Sequence, residues 1–347
     1  MIDNKLYLDD VSYVADLALP WEKLKNSSLV ISGASGLIGA FLIDVVMLKN
    51  QRDSLGCMIT ALGRNSDKAK QKFASYWDMK EFSFISQDIN STLDGLPHAD
   101  YILHLASNTH PIAYSTDPIG TITTNIIGTH NLLEFAAGSG SKRFLFASSN
   151  EIYGENRGDT EFFDEKYCGY IDCNTLRAGY PESKRCGEAL CQAYIKQKEL
   201  DVVIARLTRS YGPTMLMSDS KAISQFIKKG LAGENIVLKS AGNQYYSYTY
   251  VADAVAGLLT VLLKGRCGEA YNIADERSDI TLKALAQAIA DHAGTKVVFE
   301  LPDETEKAGY STATKARLAG KKINELGWNA RYDIRQGLGR TLDILKI

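Results

Sequence analysis

Short apolar runs alternate with longer stretches of helical periodicity over most of the chain. The runs at 29–31, 58–62, 82–86, 101–105, 143–148, 202–207 and 270–273 have the length of buried strands. Between them the spacing predicts helices of a dozen or more residues, among them 119–137 and 181–198, with a shorter amphipathic stretch at 40–49. Strand and helix in this alternation predict an α/β fold, a doubly wound parallel sheet with helices on both faces. The rhythm stops after Gly212-Pro213. Residues 214–239 and 296–347 do not continue it, so we expect a smaller, discontinuous C-terminal lobe for substrate, covering about 213–244 and 276–347. The main unit then runs over 28–212 and takes back about 245–275. Residues 1–27 precede the first strand and carry Trp21 and other aromatics, which predicts an extension packed on the body.

Composition narrows the function more than the fold. With 347 residues and 45% apolar content the chain can bury a large core. A formal charge of −2 without a long Lys/Arg run argues against a nucleic-acid partner. No apolar stretch approaches the roughly 18 residues of a membrane span. The start, Met1-Ile2-Asp3-Asn4-Lys5, lacks a basic region followed by an apolar core, so no secretory leader is expected. Six cysteines without C-x-x-C spacing or a nearby His cluster predict free thiols in a cytoplasmic protein, with no metal.

The segment Ser32-Gly33-Ala34-Ser35-Gly36-Leu37-Ile38-Gly39 joins the first strand to a helix. Glycines at Gly33, Gly36 and Gly39 suit the tight turn, the close approach of a pyrophosphate and helix packing, with the helix N-terminus as anion site. Downstream, Tyr180 and Lys184 form Y-x-x-x-K, and Ser149 lies in S-S-N-E-I-Y-G. Together these segments resemble the extended short-chain dehydrogenase/reductases, the NAD-dependent epimerase/dehydratase family that modifies sugar nucleotides. The resemblance runs from about residue 29 to about 327 and implies a Rossmann-type sheet holding NAD or NADP.

For the cofactor the resemblance implies a set that begins with Gly33, Ser35, Gly36, Leu37, Ile38 and Gly39 in the loop. It places Asp88 and Ile89 at adenine, and Leu105, Ala106 and Ser107 beside the pyrophosphate and nicotinamide ribose. Asn125, Tyr180 and Lys184 complete it. Asp88 reads equally as a turn cap. Where NAD-preferring relatives carry an Asp after the second strand, this chain has Gly63-Arg64, which leaves room and a fork-shaped cation for a 2′-phosphate and leans towards NADP.

The expected catalytic residues are Ser149, Glu151, Tyr180 and Lys184. Spacing i, i+4 puts Tyr180 and Lys184 on one helix face, with Pro181 suited to its first turn. A phenol titrates near ~10, so an adjacent ammonium is expected to lower it enough for Tyr180 to take a sugar hydroxyl proton. Glu151 separates branches of the family. Ser149-Asn150-Glu151-Ile152-Tyr153-Gly154 resembles the T-S-E-V-Y-G of UDP-glucuronate decarboxylases and the T-S-E-L-Y-G of GDP-mannose 4,6-dehydratases, where a carboxylate acts beside a 4-keto sugar. A capping or salt-bridging Glu is the plain alternative.

The expected substrate residues are Ser149, Asn150, Arg209, Met217, Lys221 and Tyr246. The stretch from Tyr211 to Ile227 follows the decarboxylases, but two positions depart. Arg209 stands where they have Asn, and Tyr246 where they have a strand arginine that faces the substrate. The exchange implies a relocated cation, which we expect to meet the substrate's phosphate unless Arg209 pairs with Asp219 or Asp253. The function implied is epimerisation or dehydration of a nucleotide-activated sugar or polyol through a transient keto intermediate. Decarboxylation of UDP-glucuronate and net reduction of a nucleotide sugar are alternatives of the same class. A non-catalytic NAD(P)-binding regulator is the alternative of another class, and such proteins usually lose the Tyr or Lys. A plain alcohol dehydrogenase would leave the C-terminal lobe unexplained. The resemblance also implies a homodimer through 119–137 and 181–198.

Overall fold

The computed structural model describes residues 1–109, 111–300 and 314–346. The stretch 301–313, part of the lobe expected at 276–347, lies outside the described residues.

Seven parallel strands form the main sheet: β1 (Ser28–Ser32), β2 (Met58–Gly63), β3 (Phe82–Ser86), β4 (Tyr101–His104), β5 (Arg143–Ser149), β6 (Val202–Leu207) and β10 (Ala270–Ile273). Their order is β10-β6-β5-β4-β1-β2-β3, so the winding reverses between β1 and β4. A reversal of that kind opens a crevice at the carboxyl ends of the two strands. All seven predicted strands are present, each within a residue of its expected bounds at either end.

Helices cover both faces. Helix α1 (Lys5–Ala15) starts at Asn4, whose side chain accepts from the Tyr7 amide, and it buries Tyr7, Val11 and Val14. Its Asp10 is fully buried and accepts from Tyr250 Oη at 2.7 Å and Arg340 Nε at 2.8 Å. The N-terminal extension is thus bolted to the body by a satisfied buried charge, as a buried carboxylate requires. Helix α2 (Leu37–Asp53) follows the glycine loop, starting three residues before the stretch expected at 40 because Gly36, in an extended conformation, begins it. Next come α3 (Ser66–Lys72), α4 (Pro111–Thr116), α5 (Pro118–Ser139), α6 (Gly179–Lys198), α7 (Ala222–Leu231), α8 (Val251–Lys264) and α9 (Leu282–Ala293). Burial of every residue from Val251 to Leu263 explains the near-continuous apolar sequence of α8.

The second lobe has its own small sheet. Strand β9 (Tyr245–Tyr250) pairs in parallel with β7 (Arg209–Tyr211) and with β13 (Lys315–Ala316), and antiparallel with β11 (Asp279–Thr281). Beside it β8 (Ile236–Leu238) pairs with β12 (Val297–Phe299). Of the stretch 245–275 expected in the main unit, α8 and β10 lie there, whereas β9 belongs to the second sheet. The reason is β7, which leaves the main sheet within two residues of β6 and carries β9 with it.

Candidate active site

The exit of β4 is fixed by polar side chains that water does not reach. Ser32 Oγ meets His104 Nδ1 at 2.8 Å and accepts from the amides of Leu105 and Ala106, both at 3.2 Å. His104 Nε2 meets Thr129 Oγ1 at 2.9 Å. Burial pulls His104 well below the usual imidazole range, so the ring stays neutral. Gly33, at φ +69°, presses on this exit so closely that a Cβ would come within 2.7 Å of the Ala106 nitrogen.

The chain's features at this crevice suit a dinucleotide. Helices α3 and α5 are capped by the side chains of Asn65 and Asp117, but α2 has Gly36 as N-cap, no side-chain cap and no acid in its first turn. A seventeen-residue helix therefore presents bare amides to the crevice, where a pyrophosphate would sit. Ile89 is buried, while Asp88 is exposed and accepts from the Asn90 amide at 2.9 Å, which is the turn-capping arrangement. Arg64 is exposed at the end of β2.

The side chains expected to be catalytic come from two arms. Strand β5 ends at Ser149, whose Oγ accepts from the Glu151 amide and starts the short helical turn Asn150–Tyr153. The second arm is another such turn, Leu176–Ala178, which runs directly into α6. Tyr180, Ser183 and Lys184 lie buried on the inner face of α6. Ser107 Oγ donates to Asn125 Oδ1 at 2.7 Å, Asn125 Nδ2 donates to Ser183 Oγ at 2.9 Å, and Ser183 Oγ donates to the Tyr180 carbonyl at 2.9 Å. This relay ties α5 and the β4 exit to the helix turn that carries the phenol.

Burial, then the charge of Glu151, push Tyr180 up to about 12, while hydrogen bonding with Ser149, the charge of Arg177 and hydrogen bonding with Ser107 draw it down. Sequence reasoning assigned that downward pull to Lys184. The structure gives the ammonium another anchor: Lys184 Nζ donates to the Ala147 carbonyl at 2.8 Å and lies 4.8 Å from the centre of the Phe146 ring, with burial lowering it to about 8.

Glu151 is ion-paired. Arg177 Nη2 donates to Glu151 Oε2 at 2.6 Å, the two side chains keeping 15% and 19% exposure. The Arg177 guanidinium lies 4.7 Å from the Tyr114 ring centre, and Tyr114 stacks on Tyr180 with centroids 5.0 Å apart and planes 31° apart. Across the pocket, Arg209 lies 3.6 Å from the Tyr246 ring centre. Burial raises the Tyr246 phenol, and the charges of Arg209, Glu151 and Arg177 all act on it. Asp219 is taken by Lys221 at 3.0 Å, and Asp253 by the amides of Arg331 and Tyr332, so neither carboxylate suspected as a partner holds Arg209. Its Nη1 is buried with no hydrogen-bond partner among the described residues.

Lys221 Nζ also reaches Thr109 Oγ1 at 3.2 Å across the crevice, Asn150 is buried, and Met217 stands 62% exposed on the loop between β7 and α7. Sequence reasoning missed three residues: Arg177, Tyr114 and Lys72. Arg177 was readable only as a cation three places before Tyr180. Lys72 Nζ donates to the carbonyls of Ser35 and Thr214 at 3.1 and 3.3 Å, and Thr214 Oγ1 donates to the Leu37 carbonyl at 2.7 Å. No local pattern announces a lysine reaching that far.

The family model described as "NAD dependent epimerase/dehydratase family" matches residues 29–274. The chain belongs to that family. It is 31% identical over 317 residues to UDP-glucuronic acid decarboxylase 5 of Arabidopsis thaliana, spanning 90% of this chain and 87% of the relative. It is 29% identical to UDP-glucuronic acid decarboxylase 1 of Xenopus tropicalis, over 90% of this chain and 71% of that protein. Among solved structures, dTDP-glucose 4,6-dehydratase of Streptomyces venezuelae, crystallised with NAD, superposes with a TM-score of 0.78 at 24% identity, covering 91% of this chain and 96% of its own. UDP-glucuronic acid 4-epimerase of Bacillus cereus, in complex with UDP-glucuronic acid and NAD, gives 0.78 at 21% identity over 92% and 99%. The fold and the enzyme class, sugar-nucleotide modification of the epimerase/dehydratase type, follow. Family membership leaves the non-catalytic reading without support, since Tyr180 and Lys184 stand in place. Among the described residues no helix is long and apolar enough to cross a membrane.

Proposed function

We propose that this family member converts a nucleotide-activated sugar through a transient 4-keto intermediate, with no net redox change, as an epimerase or dehydratase. The observation that carries the reading is the Tyr180 phenol, buried on the inner face of α6 with its helix turn tied through Ser183 and Asn125 to Ser107, and with Ser149 and the Glu151 carboxylate near enough to shift its proton affinity. The glycine loop and the uncapped N-terminus of α2 would hold NAD, which would supply the hydride acceptor and donor at the sugar's C4. Tyr180 takes the C4 hydroxyl proton as the C4 hydrogen leaves with its electron pair, and returns that proton when the carbonyl is reduced. Ser149 hydrogen-bonds the same oxygen and holds it on the phenol. The ketone acidifies the neighbouring C5–H, whose proton Glu151 accepts. Arg64, exposed beyond β2, is the residue that would greet the 2′-phosphate if NADP is taken instead.

A second reading, decarboxylation of a nucleotide-linked uronate, is favoured by Arg209 lying on Tyr246, because a cation then stands over the position where the strand arginine was lost. The proposal includes a cytoplasmic homodimer, with the free thiols and the exposed isoleucines of α5 as its support. Incubation with UDP-glucose, UDP-glucuronate, dTDP-glucose and GDP-mannose, products resolved by mass and NMR, decides among the reactions. Loss of CO2 selects decarboxylation, loss of water dehydration, and an isomer of unchanged mass epimerisation. No turnover of any member, with cofactor demonstrably bound, sinks the proposal.

A further inference from the structure

Two arms of backbone meet at the reacting centre, and a side chain of one grips the carboxylate at the tip of the other. Glu151 rides on the turn that follows Ser149. Tyr180 rides on the turn that begins α6. The backbones of the arms are held together lower down, where Arg185 Nε donates to the Ile152 carbonyl at 2.7 Å and its Nη2 to the Gly169 carbonyl at 3.0 Å. At the tips the junction is Arg177, which belongs to the α6 arm but grips the carboxylate of the other.

Building on the function proposed above, we infer that Arg177 is a positioning residue, which sets the Glu151 carboxylate in a fixed relation to the Tyr180 phenol by clamping the one while lying on the ring that stacks against the other. The contacts form a closed circuit. Arg177 holds Glu151 Oε2 at 2.6 Å, covers Tyr114 at 4.7 Å, and Tyr114 lies on Tyr180 at 5.0 Å. Because Arg177 stands three residues before Tyr180 on one helical stretch, any shift of the carboxylate relative to the phenol must stretch the ion pair or slide the guanidinium off the ring. A planar guanidinium is suited to this double duty, since its edge donates while its face stacks.

The clamp leaves the acid usable. No hydrogen bond among the described residues reaches Glu151 Oε1, so one oxygen stays available for a C5 proton while the other fixes its direction. A side chain that serves only to neutralise a charge would not need to lie on the aromatic ring packed against the phenol.

The test uses Arg177→Met and Arg177→Lys in the full-length, NAD-loaded protein, with UDP-glucuronate and dTDP-glucose as probes. Cofactor reduction at 340 nm reads the step at C4, and deuterium uptake from solvent at C5, followed by NMR, reads the step at Glu151. In Arg177→Met, exchange at C5 should fall at least about tenfold more than cofactor reduction does, the scale of a displaced general base, and Arg177→Lys should recover part of it. A crystal structure of Arg177→Met should show the Glu151 side chain turned away with Tyr180 in place. Equal losses in both steps without rescue by lysine, or a Glu151 carboxylate that stays where it is in the Met variant, overturn the inference. A wild-type protein that reduces its cofactor with neither probe counts against the proposed function, and the crystal structure still decides the clamp.

Discussion

The guanidinium of Arg209 lies on the face of Tyr246, 3.6 Å from the ring centre, although β7 and β9 pair Arg209 with Tyr248. The side chain therefore leans two residues along the neighbouring strand to reach the ring. The nearby Glu151 carboxylate is held by another arginine, Arg177. A buried N–H without an acceptor is costly unless a ligand supplies one.

Arg209→Ala should accordingly raise the KM for the nucleotide sugar at least tenfold and leave NAD affinity unchanged. Charge-assisted hydrogen bonds are worth roughly 1.5 to 3 kcal/mol each, and about 1.4 kcal/mol is tenfold. Comparing UDP-glucose with UDP-glucuronate separates the anions: a penalty on both indicates a phosphate contact, one confined to the uronate a carboxylate contact. Wild-type KM for both would show that Arg209 holds neither.

Tyr180→Phe removes a proton acceptor and nothing of the ring's stacking on Tyr114. Turnover should fall by about 10² or more while thermal stability and cofactor binding persist. Near-full activity of the Phe variant would refute the assigned chemistry.

For Glu151→Gln, the amide retains a partner for Arg177 but cannot take a proton. Single-turnover cofactor reduction should continue while the later step at C5 slows. If neither step changes, Glu151 serves the ion pair alone and the enzyme is a simple 4-epimerase.

A homodimer is expected through α5 and α6. Ile119, Ile122 and Ile127 on α5 stand 76%, 37% and 42% exposed, an apolar stripe that a second copy would cover. Light scattering at micromolar concentration should give twice the chain mass, and a monomer mass would exclude the pairing.

Burial raises Asp44, Asp253 and Asp279 from 3.8 to about 6 each. An acid whose folded value is raised contributes stability that is fully present below its unfolded value and is lost as pH rises through the folded one. Between about pH 4 and pH 6 these three groups should make the protein less stable as pH increases. Asp44→Asn, which keeps an acceptor for Tyr7, should flatten that slope in denaturant melts, and an unchanged slope would show that Asp44 does not carry it.

The main sheet was legible because each of its strands is buried on both faces and so reads as an apolar run between helical periods. The shared helix face of Tyr180 and Lys184 and the strand-loop-helix of the glycine segment were legible because each rests on local spacing. Strand β9, which pairs in the second sheet, was not among the expected strands because Tyr245–Tyr250 is six residues of aromatics and small polar side chains without an apolar run. The partners of Glu151 and Arg209 were illegible for a different reason. Both depend on side chains brought together from separate turns and strands, and a sequence shows the charges without the directions in which they point.

Lys72 connects these parts in another way. Its ammonium spans the carbonyls of Ser35 in the glycine loop and Thr214 beyond β7. The glycine loop is thereby sewn to the turn that follows Gly212-Pro213. Displacing either segment breaks a bond to the same ammonium, so the two are expected to move together.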